Sequence, residues 1–159
     1  MSNADTAEPA GKSLKILVVH APDHPPDEVA FAELLDNAEL GASVIRLMVP
    51  VDIVNGLVNL KNFDRVLVIL TEYLAADNHL EDCMLSTVRC EVGVTGIWDK
   101  DAVSNEMHPA VWKYGIQQIP WNSAKLFQAI ISNIPQRFQS SSGNQIKQTA
   151  RHEIVPNKC

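Results

Sequence analysis

The chain alternates between short unbroken apolar runs and longer stretches with helical spacing. The clearest run is Arg65-Val66-Leu67-Val68-Ile69-Leu70, which stops abruptly at polar Thr71-Glu72. A run apolar on both faces suits a strand buried between helix layers, as parallel sheets require. By the same pattern, Leu14-Lys15-Ile16-Leu17-Val18-Val19 is a first strand and residues 43–49 a second. Residues 91–98 read as a fourth strand, and residues 116–119 as a short, more polar fifth at an edge. After the loop His20-Ala21-Pro22-Asp23-His24-Pro25-Pro26, Asp27 is a predicted N-cap. Val29, Phe31, Leu34, Leu35, Ala38 and Leu40 then form a helical stripe, with Gly41 as its C′ residue. Residues 51–60 predict a short helix with Val54, Leu57 and Val58 inward, and residues 71–78 a loop. Residues 79–88 form a helix on Leu80, Met84, Leu85 and Val88. Pro109 opens a helical turn running to Tyr114, and residues 120–131 close with Leu126, Phe127, Ile130 and Ile131 inward.

Five strands alternating with helices predict one α/β domain. At this size the expected form is a flavodoxin-like three-layer sandwich, with a five-stranded parallel sheet in order 2-1-3-4-5 and right-handed crossovers. The domain spans residues 14–135. Residues 1–13 are small and polar and predict a disordered segment, and residues 136–159 a flexible polar tail.

Charge narrows the function. A net charge of −6, with 13 basic residues scattered singly, argues against a nucleic-acid surface. No apolar run approaches bilayer length, and the start of the chain lacks an apolar signal core, so no membrane contact and a cytoplasmic location are expected. Cys83, Cys90 and Cys159 lack metal spacing and predict free thiols.

Catalytic chemistry is sparse at the predicted strand ends, where α/β sheets place it. The first loop has neither a GxGxxG nor a Walker A sequence, and its prolines remove the backbone donors that would cradle phosphate. His20, Asp23 and His24 share that loop; Glu72, Asp77 and His79 lie on the neighbouring one. Their spacing defines no metal site, and neither metal nor cofactor is expected. His20, His24, Thr71 and Thr95 mark a strand-end pocket, which supports a third reading as a small-ligand sensor with residues 20–26 as a lid. No strained serine elbow is present, and Cys83 and Cys90 fit packing better than nucleophilic roles. Glu81 and Asp82 are first-turn acids favoured by the helix dipole, with a catalytic carboxylate as the functional alternative. Trp98, Trp112, Tyr114 and Trp121 concentrate in the last third, with Tyr114 and Trp121 the better surface candidates.

Two family resemblances follow. ILVV at 16–19, LLDNAELGASVI at 34–45, VDIVNGLVNLKNFDRVLVI at 51–69, VGVTG at 92–96 and QIPWNSAKLFQAI at 118–130 resemble the receiver domain of bacterial response regulators. The resemblance sets that family's acidic pair at His20 and Ala21, its phosphoacceptor near Ile69 and its Lys at Ile119; Thr95 matches the switch Thr. Aspartyl phosphorylation needs carboxylates, a divalent ion and a Lys, so the likeness implies a pseudo-receiver. It implies a non-enzymatic signalling module that binds a protein through the last helix and fifth strand, at Lys113, Tyr114, Ile116, Gln118 and Trp121; the unpaired edge of the fifth strand also predicts self-association as a homodimer. ILVVHAPDH at 16–24, DRVLVILTEYLAA at 64–76 and MHPAVWKYGIQQIPW at 107–121 instead resemble TIR and SEFIR domains. That likeness implies a signalling adaptor or an NAD hydrolase using Glu81, although the Trp-Cys that commonly precedes the family's Glu is missing.

Overall fold

The computed structural model describes residues 14–102 and 106–132. The expected disordered segment at 1–13 and the tail at 136–159 fall outside these residues.

The central strand is the fully apolar run: β3 (Arg65–Leu70) is buried from Val66 onward. It pairs with β1 (Lys15–Val19) on one side and β4 (Gly93–Trp98) on the other. β2 (Val44–Met48) flanks β1, and β5 (Gln117–Ile119) flanks β4. All four pairings are parallel, giving the order β2-β1-β3-β4-β5. This is the expected flavodoxin-like 2-1-3-4-5 sheet. Registration is continuous across it: Leu47 lies beside Val18, Val18 beside Leu67, Leu67 beside Thr95 and Thr95 beside Gln117.

Alternation along the strands builds two cores. Leu17, Val19, Val66, Val68 and Leu70 face one layer; Ile16, Val18, Leu67, Ile69 and Ile97 face the other. The first layer comprises α2 (Pro50–Val54), α3 (Glu72–Ala75), α4 (Leu80–Arg89) and α5 (Pro109–Trp112). The second comprises α1 (Glu28–Asn37) and α6 (Ser123–Ser132). Helices fall on opposite faces because the chain first steps from β1 to β2 and then reverses towards β3 and β4, while the crossover hand stays the same. Each large aliphatic side chain buried here contributes about 1.5–3 kcal/mol relative to exposure.

Several local expectations change. α1 ends in a Schellman motif, with Leu40 N–H on Leu35 O at 2.8 Å and Glu39 N–H on Asp36 O at 3.1 Å. The left-handed C′ residue is therefore Glu39 (φ 61°), not Gly41. A Cβ at Gly41 would meet the exposed Asp36 carboxylate, which can rotate away. α2 stops early, the chain turning at Gly56 (φ 77°). That leaves Leu57 60% exposed, and the 3-10 turn Leu60–Asn62 buries Leu60 instead. Val29 and Ile131, expected inward, are exposed. Residues 71–78 contain the four-residue helix α3, because the Thr71 hydroxyl accepts from Leu74 N–H at 3.0 Å and caps it. Cys83 is a buried free thiol, whereas Cys90 is not free. Among the described residues no helix is long and apolar enough to cross a membrane.

Candidate functional site

Residues at the carboxyl ends of β1 and β3 are engaged in local structure. His20 follows β1, and its Nδ1–H donates to Ala21 O at 2.8 Å. The next turn passes through Asp23 (φ 65°) and closes with His24 N–H on Ala21 O at 3.1 Å. His24 then stacks on Tyr73 of α3, ring centroids 3.6 Å apart and planes 3° from parallel. Thr71 follows β3 and uses its hydroxyl as the α3 cap. Thr95 is fully buried three residues before the last residue of β4, inside the sheet. Of the four residues assigned to a strand-end pocket, His20, His24 and Thr71 reach that end and Thr95 does not.

The groove at this end is lined by other residues. Glu72 and Ala75 of α3, Trp98 of β4, and Glu106, Met107, His108 and Pro109 bound an open depression of about 380 Å³. Its most constrained member is His108, 2% exposed. His108 Nε2 lies 2.8 Å from Thr71 O, and its Nδ1 lies 3.0 Å from Ala110 N. A carbonyl oxygen only accepts and an amide N–H only donates, so the ring is neutral, with its proton on Nε2. Burial lowers the His108 pKa from 6.5, opposed by the hydrogen bond to Thr71. The ring meets Trp98 edge to face, centroids 5.5 Å apart. Its own backbone N–H donates to Gln118 Oε1 at 3.0 Å. Sequence reasoning missed His108; the available signal was its place directly before Pro109, since Pro favours the first helical position and leaves the preceding residue as cap.

The five residues expected to form one binding surface are divided. Ile116 is buried in the core beneath α5. Gln118 holds the His108 backbone. Tyr114 packs against the α4–α5 layer, whereas Trp121 packs against the opposite layer and meets Phe31 at 6.2 Å. Lys113 alone of the five is exposed. The exposed tryptophan is Trp112, at 67%, and Met107 is 55% exposed. Pro109 and Trp112 lie one helical turn apart on α5, with Lys113 adjoining, so the three share its solvent side.

Glu81 is exposed in the first turn of α4 and does not line the groove. It lies instead near Tyr114, whose pKa is raised by burial and then by Glu81, Asp82 and Cys83. Asp77 and His79 approach to 3.7 Å. Burial, aided by Asp77, pushes the Cys83 thiol up to about 12, which keeps it protonated and unreactive near neutrality. Among the described residues no three His, Cys, Asp or Glu side chains converge as metal ligands.

No protein-family model matches this chain, and no curated protein matches it. Among solved structures, it is similar to one described as a novel cobalamin-binding protein from Desulfitobacterium hafniense DCB-2, determined at 1.5 Å. The likeness has 16% sequence identity and a TM-score of 0.47, covering 75% of this chain and 58% of that chain. The chain thus spans less than two thirds of that protein's length.

Proposed function

We propose that this protein is a non-enzymatic signalling module that binds a protein partner, built on a receiver-like scaffold without phosphotransfer chemistry. One observation carries the reading: the solvent side of α5 presents Trp112, 67% exposed, beside Pro109 and Lys113 and next to exposed Met107. A large exposed aromatic beside an exposed Met has the composition of an interface anchor. The strand ends support the same reading. Ile69 and Ile119, which the receiver likeness sets at the phosphoacceptor and Lys positions, are buried aliphatics. The face adjoins β5 but lies on α5 and not on the last helix, and of the five residues that the receiver likeness implies it retains Lys113.

The test is affinity capture with the full chain at neutral pH, comparing wild type with Trp112→Ala and, as a surface control, Val29→Ala. A partner held by wild type and Val29→Ala but lost by Trp112→Ala is the expected result. Equal capture by all three would remove the α5 face from the reading. Release of nicotinamide from NAD by wild type, abolished in Glu81→Ala, would replace the module with a TIR-like hydrolase.

A further inference from the structure

We propose that the α5 face is gated by acid through His108, which holds α5 closed only while its ring is neutral. The inference rests on the reading of that face as a partner surface and names its regulation.

α5 is four residues long and cannot hold itself together in water. One side chain caps its first turn, the Ala110 N–H donating to His108 Nδ1 at 3.0 Å. The same ring ties the turn to the sheet through Thr71 O at 2.8 Å, and it supports Trp98 at 5.5 Å. Both ring nitrogens are therefore committed, one as acceptor and one as donor. Protonation places a second N–H on Nδ1, directly opposite the Ala110 N–H. Two donors then face each other, so the cap is lost while the Thr71 bond survives. The cation must also sit at a position 2% exposed to water, where an unpaired charge is costly. Both effects favour swinging the ring out, and α5 with it.

The charged groups bordering the same groove are Glu72 on α3 and Glu106 on the segment before His108. β4 and β5 present Trp98 and Gln118, neither of which changes charge in this range. Burial outweighs the Thr71 hydrogen bond, which favours the cation, and the ring's pKa falls below 6.5. A lowered pKa means that the closed form binds fewer protons than the open one. The closed form is therefore fully favoured above about pH 6.5 and loses ground as pH falls below it. Between that value and the lowered value of the closed form, the opening equilibrium rises by at most about tenfold per pH unit, up to one proton being taken up per opening.

The experiment follows hydrogen exchange at the amides of Ala110 and Trp112 in the full chain, from about pH 8 to about pH 5, corrected for intrinsic exchange. Wild type is expected to lose protection as pH falls below the ordinary His value, by at most about tenfold per pH unit, and to level off below the lowered value of the closed form. His108→Asn, whose side-chain oxygen can still cap Ala110 but cannot titrate, is expected to show no such dependence, and His24→Asn is expected to keep it. Imidazole nitrogen shifts of the wild-type protein give a reading that needs no variant, with the proton expected on Nε2 at neutral pH. Flat protection in wild type, pH dependence retained in His108→Asn, or a proton on Nδ1 at neutral pH would each overturn the proposal. The partner reading stands or falls separately, on capture by Trp112→Ala at neutral pH.

Discussion

His24 lies flat on Tyr73, with ring centroids 3.6 Å apart and planes 3° from parallel. The contact fastens the loop after β1 to α3, two segments more than forty residues apart in the chain. It exists because Thr71 caps α3 and because Asp23 accepts a left-handed backbone (φ 65°) that turns His24 back. Both rings are largely in water, so the stack contributes about 0.5–1.5 kcal/mol at most. Tyr73→Ala is therefore expected to lower the melting temperature by no more than about 5 °C while exchange at the His24 amide quickens. A large drop in melting temperature would show that the loop bears more on the fold than this contact implies.

Gly96→Ala is expected to destabilise by about 1–3 kcal/mol, as overpacking does. A Cβ there would stand 2.8 Å from Val111 Cγ2 and 3.0 Å from Leu70 Cδ1. Val111 is β-branched and 1% exposed, so it cannot easily rotate away. Denaturant unfolding measures the loss, and exchange at α5 should show that helix displaced first.

Arg65→Met tests how α6 is held. Arg65 Nε–H donates to Ile130 O at 3.1 Å, satisfying a carbonyl in the last turn of α6. Its loss is expected to cost about 0.5–1.5 kcal/mol and to fray the last turn, seen as faster exchange there with α1 unaffected.

The Asp27 carboxylate accepts from Ala30 N–H at 2.8 Å, and Asp27→Ala is expected to lower stability by about 0.5–2 kcal/mol. Asp27→Asn should recover most of it, because the amide oxygen can make the same bond.

Alkaline pH should weaken the fold through Cys83. Its thiol pKa is raised from 9.0 to about 12, so the folded state holds its proton where the unfolded state releases it. Stability should then fall as pH climbs from about 9 towards 12, and Cys83→Ser should flatten that slope. At neutral pH, alkylation of Cys83 should occur only at the rate of opening, because the side chain is fully buried.

The strands were legible in the sequence because each is a local apolar pattern, and their order followed from the alternation of strand and helix at this domain size. The run at 65–70 matches β3 residue for residue, and the Asp27 cap and the Pro109 turn stand where they were placed. Helix faces were read less well. Val29 continued the α1 stripe by spacing alone but lies 74% exposed, and Leu57 was lost to the turn at Gly56. The site was the least legible. Tyr114 and Trp121 are seven residues apart, yet they pack against opposite helix layers, because β5 passes between them.

The sequence alone determined the two-sided burial of β3, the alternation of strand and helix, and hence the parallel sheet, since apolar periodicity is written residue by residue. Only the tertiary structure decided what the polar side chains do. His108 is bound to Thr71, 37 residues away, and Gln118 to the His108 backbone, 10 residues away. A hydrogen bond depends on where two atoms meet, and that is set by how the helices pack against the sheet. For the same reason Trp112, not Trp121, was left facing water.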